Sequence, residues 1–570
     1  EVMNILAINP GHNGSAALLV DGELKFYIEE ERLSRGKYDG NPYRAMMEAL
    51  KYGVNILVLG GTYGEFPALP WTGEDPYTGF LRKFNPNLQT VNVGNHHHVG
   101  HAASAFYNSG FEKAAAVIVD GAGSPRGIEI RENVQNFGFE TESIFDCNLE
   151  SIAPVFASYG GNYDTMPFYT EDTEMDHGIT IVKAYEAVSS YLGFGPIEAG
   201  KTMGLAPYGK KNKKIPKLFT GKRGDKNLFI PEYPRGAHIN QDYSDYIKVK
   251  GDPKEWHSDP SKVTDAAKDL AWAVQDETQT LVGDLIEKAV DTTGHKNIVI
   301  AGGYGLNCVA NYYYKERFPD LNIFVDPVSH DGGTAIGLAY LVHYQNTEDK
   351  TVRPMKTLYL GPERTEEYDF GDIKVKDVKA AEVAKLIADK NIVALFQGRS
   401  EAGPRALGNR SILYDPTDPN GKDFVNTVKG REWFRPFAGS MLQENFEEWF
   451  ETRGLKESPY MMYAMDFKTE KHGEVPAITH VDGTCRIQTV TKEQNPSYYS
   501  LIKEFDNITG VPILFNTSFN LAGKPLVETL QDAMETVKNS DINYLYLPDI
   551  GKLVHYPYND SIVEDIEEAA

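Results

Sequence analysis

The chain has 570 residues, 41% of them hydrophobic and 24% charged, the balance of a soluble globular protein with room for two to four domains. Its formal charge of −24, from 81 acidic against 57 basic residues, argues against bulk nucleic-acid binding or adhesion to an anionic membrane, and no long apolar run offers a membrane span. The three cysteines, Cys147, Cys308 and Cys485, lie far apart and outside any CxxC pattern, which argues against disulfides or a thiolate zinc site and, with no signal-peptide pattern, predicts a cytoplasmic setting.

Residues 4–8 read as a buried strand, 9–12 as a turn, and 15–20 and 24–28 as strands joined by the hairpin Asp21-Gly22. The first turn can aim His12 at a ligand, although a lone turn histidine is as readily plain surface. A helix over 43–52 and a strand over 55–59 lead to Asn95-His-His-His-Val-Gly-His101. With Asn95 as N-cap and Gly110 as stop, His97 and His101 fall four residues apart on one helical face. That spacing suits two metal ligands if carboxylates arrive from elsewhere; a solvated, His-rich helix end is the plainer alternative.

At 114–121 a hydrophobic strand again runs into Asp120-Gly121, echoing 16–22. A repeated opening of this kind begins each half of duplicated actin-like and sugar-kinase-like domains. Asp120 stands at a strand's C-terminal end, where α/β sites collect ligands. A helix is predicted over 179–192, followed by a Gly- and Pro-punctuated junction in which Lys201 either meets an anion or is surface. Residues 210–260 read as a surface elaboration and 262–289 as a long helix. The strand at 297–301 runs into Gly302-Gly303 and on to Asn307, a backbone that admits a ligand closely, though a Gly-Gly turn alone is a weak signal. Asp331 follows the strand at 322–326. With His97, His101 and Asp120 it completes an N2O2 set suited to iron, manganese or zinc.

A boundary falls between 351 and 372, after which cations gather beside Gly, Pro and aromatics: residues 398–413 with Arg405, 429–437 with Lys429 and Arg431, 480–486 with Arg486, and 516–520 with Asn516 and Ser518. A solvated charged face mixes signs and avoids glycine, proline and aromatics, so these stretches read as a pocket for phosphates and a base.

Taken together the motifs resemble, over nearly the whole length, the O-carbamoyltransferase family that includes the nodulation-factor and cephamycin carbamoyltransferases (NodU/CmcH). The resemblance rests on Gly11-His12, Glu29-Glu-Glu-Arg32, His97-His-Val-Gly-His101, Val119-Asp-Gly121, Met203-Gly-Leu-Ala-Pro-Tyr-Gly209, Asp331-Gly-Gly-Thr-Ala335, Gly403-Pro-Arg-Ala-Leu-Gly408, Arg431-Glu-Trp-Phe-Arg-Pro-Phe437, His480-Val-Asp-Gly-Thr-Cys-Arg486 and Asn516-Thr-Ser-Phe-Asn520. It implies an α/β protein with a duplicated actin-like (ASKHA) domain over 1–355 and a YrdC-like domain over 356–570, the last 25 or so residues packing back on the first domain. The implied enzyme converts ATP, with Mg2+, and carbamoyl phosphate into carbamoyl-adenylate, then passes the carbamoyl group to a hydroxyl of a small molecule such as a sugar, natural product or nucleoside. In that scheme Lys201, Arg405, Lys429, Arg431, Arg486, Asn516 and Ser518 bind substrate and nucleotide. Gly302, Gly303 and Asn307 receive the intermediate, the N2O2 set holds a divalent metal with Fe2+ favoured, and His12 relays the acceptor proton. The assembly is expected to be a monomer or homodimer. Two positions depart from the family: Asn13 stands where Asp is usual, and Ala438 where Pro is common. The competing functions are an actin-like phosphotransferase, which would make ADP rather than AMP and pyrophosphate, and a tRNA-modification-related carbamoyl-adenylate enzyme, which the acidic charge disfavours.

Overall fold

The computed structural model describes residues 3–62, 66–162, 164–176, 180–219, 228–240, 253–256 and 259–556. Two compact units emerge, one of residues 1–34 and 38–356, the other of 35–37 and 357–570.

The first unit opens with β1 (Asn4–Asn9), β2 (Ser15–Val20), β3 (Glu23–Glu29), β4 (Ile56–Leu59) and β5 (Gln89–Asn92). They form one sheet in the order β3-β2-β1-β4-β5, antiparallel from β3 to β1 and parallel from β1 to β5. Leu6, Ile8, Leu18, Phe26, Leu57 and Leu59 join one core cluster on one face, and Ile5, Ala7, Ala17, Leu19 and Val58 are buried on the other, which is why these runs are apolar and not alternating. Asp21 and Gly22 both take positive φ at the hairpin, as their residue types require.

The same pattern then recurs. Strands β6 (Lys113–Val119), β7 (Val134–Asn148), β8 (Ser151–Gly160), β9 (Asn297–Ala301) and β10 (Asn322–Val325) pair in the order β8-β7-β6-β9-β10. Their senses repeat those of the first sheet, antiparallel from β8 to β6 and parallel from β6 to β10. The short echo at Asp21-Gly22 and Asp120-Gly121 therefore marks a duplicated actin-like core. His12, Asp120, Gly302 and Asp331 all follow the C-terminal ends of its strands, the edge where such sheets gather ligands.

Two helices set the site's geometry. The helix His97–Ser109 packs on Thr334–Asn346 so closely that a Cβ on Gly337 would lie 1.9 Å from the Gly100 carbonyl oxygen and 2.5 Å from Ser104 N. The first helix stops at Gly110 in the left-handed conformation, as expected. Its start corrects the sequence reading: Asn95 is not the cap but a positive-φ residue of the preceding turn. The N-cap is His96, without a side-chain cap bond, and Ser124 Oγ accepts from His97 N at 3.2 Å. The long helix runs Asp265–Thr293, between a Thr264 cap and Gly294, slightly C-terminal to the predicted span. Most of 220–258, within the anticipated surface elaboration, lies outside the described residues.

The second unit is built on a nine-stranded mixed sheet. At its centre Arg410–Tyr414 pairs antiparallel with Ile513–Ser518, which pairs antiparallel with Ala438–Leu442, itself parallel to Thr484–Val490. Strands Tyr544–Leu547 and Lys552–His555 belong to this sheet, so the closing residues up to 556 are structural parts of the second unit, and 557–570 lie outside the described residues. No helix among the described residues is long and apolar enough to cross a membrane.

Candidate metal centre and anion site

His97 Nε2 lies 3.1 Å from both Asp120 Oδ2 and Asp331 Oδ1. His101 Nε2 lies 3.2 Å from His97 Nε2 and 3.6 Å from each of the same carboxylate oxygens. Four donors bound about 2.0–2.2 Å from one tetrahedral ion stand about 3.3–3.6 Å apart, so this spacing is that of a ligand shell. Two imidazole nitrogens facing each other across 3.2 Å, beside two carboxylates, make a poor hydrogen-bonding arrangement and a good one for a cation. The donor chemistry and the geometry both fit the divalent ion that the sequence suggests. Both histidines are fully enclosed. Burial works against protonation of His97, yet Asp331 and Asp120 outweigh it and hold the imidazole well above its ordinary value. Burial likewise opposes ionisation of Asp120, but His101, His97 and His98 keep its carboxyl well below the usual range.

Neighbouring groups brace this set. His97 Nδ1 meets Thr62 Oγ1 at 3.3 Å. His98, buried beside the ligands, places Nδ1 2.7 Å from Ser143 Oγ and Nε2 3.7 Å from Asp120 Oδ2. Glu140 accepts from the backbone N–H of His98 and of Ser124, tying the helix start to the loop after Asp120. On the other side His330 Nε2 sits 2.5 Å from Glu29 Oε1, whose other oxygen is 3.3 Å from Arg32. That buried triad gives part of the Glu29-Glu-Glu-Arg32 motif a fixed place behind the Asp331 loop.

At the mouth, His12 is half exposed, stacks on Tyr38 and brings Nδ1 to 3.9 Å from Asp331 Oδ2. Asn13 is buried with positive φ, and Asn9 Nδ2 donates to the carbonyls of His12 and Asn13, which fixes the turn without a carboxylate there. A carboxylate that the sequence reading missed stands nearby: a Cβ on Gly121 would meet Glu186 Oε1 at 2.9 Å. Burial raises the Glu186 carboxyl, and Lys183, 2.8 Å from its other oxygen, pulls against that rise. Nothing local distinguishes Glu186 from any other helix glutamate, so sequence alone carries no signal for it.

The intermediate-binding candidates divide. Gly302 has φ +91°, and a Cβ there would lie 2.3 Å from the Val119 carbonyl oxygen, so glycine is required for backbone contact with the strand that delivers Asp120. Gly303 faces Asp120 Oδ1. Asn307 is engaged elsewhere: its oxygen accepts from Ala310 N and Gln275 Nε2, and its amide donates to Gln275 Oε1. Lys201 also lies in the first unit, 2.9 Å from Glu198.

The remaining anion-binding candidates belong to the second unit. Lys429 is buried at the end of the helix Gly421–Lys429 and donates to Ser518 O at 2.7 Å and Ser518 Oγ at 3.0 Å. Arg431 lies over the Phe437 ring at 4.3 Å and donates to Pro436 O. Burial, then Arg435 and Arg486, hold the Arg431 guanidinium well below its ordinary value; Lys429 is held down by burial, Arg431 and Arg435. A set of cations that destabilise one another's charge is a strong anion trap. Asn516 is a scaffold residue, since its Nδ2 donates to Ala406 O at 3.1 Å and Ser440 Oγ at 2.9 Å, anchoring the turn that carries Arg405. Of the three arginines in that stretch, Arg399 and Arg410 donate to backbone carbonyls, while Arg405 sits half-buried in the turn itself.

Residues 74–340 match the family model for the carbamoyltransferase N-terminus and 384–552 that for the carbamoyltransferase C-terminus. The chain is 30% identical to nodulation protein NolNO of Sinorhizobium fredii, covering 94% of this chain and 78% of that one. It is 32% identical to the uncharacterized protein sll1178 of Synechocystis, covering 94% of each. Among solved structures, full-length HypF in a phosphate- and nucleotide-bound form overlays with TM-score 0.36 and 14% identity, over 61% of this chain and 56% of that one.

Proposed function

The chain belongs to the carbamoyltransferase family, and from that premise we propose that it is a two-site O-carbamoyltransferase using ATP and carbamoyl phosphate. In the second unit, YrdC-like in this reading, carbamoyl phosphate loses phosphate to water, and the resulting carbamate oxygen attacks the α-phosphorus of ATP. The bond to the β-phosphate breaks, pyrophosphate leaves and carbamoyl-adenylate forms. In the first unit an acceptor hydroxyl oxygen attacks the carbamoyl carbon, the C–O bond to AMP breaks, and His12 takes the hydroxyl proton. The acceptor is a small molecule, in the class of sugars, natural products or nucleosides.

The observation that carries this reading is the cation cluster of the second unit, in which buried Lys429 feels the charge of Arg431, and Arg431 that of Arg435 and Arg486, both Arg431 and Arg486 being partly buried. Carbamate becomes a good electrophile only as a mixed anhydride, and making one brings polyphosphate and carboxylate charge together, which buried cations stabilise. In the first unit His97, His101, Asp120 and Asp331 would hold a divalent ion, iron in the first place, with manganese or zinc as alternatives. When bound, such an ion supplies Lewis-acid polarisation of a carbonyl oxygen. Gly302 and Gly303 let backbone approach the reacting group. His12, on a turn pinned by Asn9, stands where an acceptor proton can reach it.

The test is acceptor-independent turnover. Enzyme with Mg2+, ATP and carbamoyl phosphate should release pyrophosphate and, as carbamoyl-adenylate hydrolyses, AMP. In Arg486→Ala this release should fall roughly 30-fold or more, because truncating one charged partner of a bound polyphosphate costs about 2–5 kcal/mol. ADP as the nucleotide product would make the protein a phosphotransferase instead, and unchanged release in Arg486→Ala would remove the second unit's cluster from the activation step.

A further inference from the structure

His101 has two ring nitrogens, and the cluster accounts for one. Nε2 faces His97, Asp120 and Asp331, so Nδ1 points out of the far side of the ring, into the interior. It is buried without a hydrogen-bond partner of ordinary geometry, and so are Ser104 Oγ, one turn along the same helix, and Asp326 Oδ2, on the residue that follows β10. Asp326 is completely enclosed. Its Oδ1 accepts from Val328 N at 2.9 Å and its main-chain oxygen accepts from Ser329 Oγ, at the start of the loop that delivers Asp331. Burial raises its carboxyl, and the Ser104 hydroxyl and His101 imidazole are among the groups that draw it back toward the charged form. A buried carboxylate needs such partners, since an isolated one is very costly. A metal-ligating imidazole in turn needs an acceptor on its far nitrogen to fix tautomer and ring orientation.

We propose that Asp326 is the positioning residue of the metal centre: Oδ2, beside Ser104 Oγ, keeps the His101 proton on Nδ1 and so presents the Nε2 lone pair, while Oδ1 and the main-chain oxygen hold the Asp331 loop. One side chain thereby sets two of the four ligands. The inference rests on reading His97, His101, Asp120 and Asp331 as a metal site, and it adds a residue that touches neither the ion nor the substrate. The competing view is that Asp326 merely caps its loop.

Asp326→Asn separates the two views, because an amide oxygen can still accept from Val328 N while the charge beside His101 is lost. The probe is Co2+ alone, titrated into metal-free full-length protein against a competing chelator, with the visible ligand-field spectrum recorded. Asp326→Asn should bind Co2+ about 10- to 100-fold more weakly and with an altered spectrum, at unchanged thermal stability of the metal-free protein and with acceptor-independent pyrophosphate release intact. Ser104→Ala, which removes the hydroxyl beside the carboxylate, should weaken binding in the same direction and serves if Asp326→Asn fails to fold. Wild-type affinity and spectrum in either folded variant would overturn the role of Asp326, provided His101→Ala abolishes binding. If His101→Ala bound Co2+ like wild type, the metal site itself would be wrong and the inference would fall with it.

Discussion

Lys429 is a cation placed where charge is hard to keep. Burial, then Arg431 and Arg435, push its ammonium well below the ordinary lysine value. Between that depressed value and the unfolded value of about 10.4, the unfolded chain binds a proton that the folded one lacks, so stability rises with pH through this window. Below the folded value both states are protonated, and the full cost of the buried charge is present. An anion against Nζ reverses the preference, so pyrophosphate binding at a pH inside that window should take up protons. Calorimetry in two buffers of different ionisation enthalpy measures the uptake; if Lys429→Met took up as many protons as wild type, the proton would belong to another group. Lys429 was legible in the sequence because cations beside glycine and aromatics are unusual. His97, His101, Asp120 and Asp331 were legible because each adjoins a helix start or strand end that a hydrophobic run announces. Asp326 follows a strand just as Asp120 does, but its role depends on His101, 225 residues earlier in the numbering, and no local pattern encodes that pairing.

The elements themselves were read more securely than their ends. Continuous apolar runs gave β1, β2, β6 and β9, since strands covered on both faces lose the alternating pattern. The cap of the His helix was misread because the hydroxyl at its first N–H comes from Ser124, beyond the next strand, while Asn95 turns the chain ahead of the helix. What sequence could not supply is the contact of that helix with Thr334–Asn346, where Gly337 leaves no room for a methyl group against Gly100 and Ser104 N. This contact decides the sign of a substitution. In an isolated helix Gly→Ala gains up to about 1 kcal/mol, whereas overpacking a close contact costs about 1–3 kcal/mol. Gly337→Ala should therefore be destabilised in urea, and, by displacing the helix that carries His97 and His101, it should retain less metal. A variant as stable as wild type or more so would mean the two helices do not meet this tightly.

At the scale of the molecule, a duplicated core places ligand-bearing turns from both halves along strand ends of one unit, while the cluster of Lys429, Arg431 and Arg486 belongs to the other. The duplication was visible as a single Asp-Gly echo and became definite only through strand order, because two sheets of the same topology share few residues that sequence can align. The division of charge implies a division of chemistry. In the proposed scheme His12, with Nδ1 3.9 Å from Asp331 Oδ2 in the first unit, would serve transfer, and Arg486 and Lys429 in the second would serve activation. If so, His12→Ala should leave acceptor-independent pyrophosphate release at the wild-type rate. Loss of a positioned proton acceptor should at the same time cut the carbamoylated product by about 10²- to 10⁴-fold. The measurement pairs pyrophosphate release with mass spectrometry of hydroxyl compounds that wild-type enzyme carbamoylates, and its signature is a rise in AMP formed per molecule of product. That ratio is what a folding defect cannot imitate, because a partly unfolded population lowers both rates together. Equal loss of pyrophosphate and product in folded His12→Ala would place the histidine in activation, and the two chemistries would then share one site.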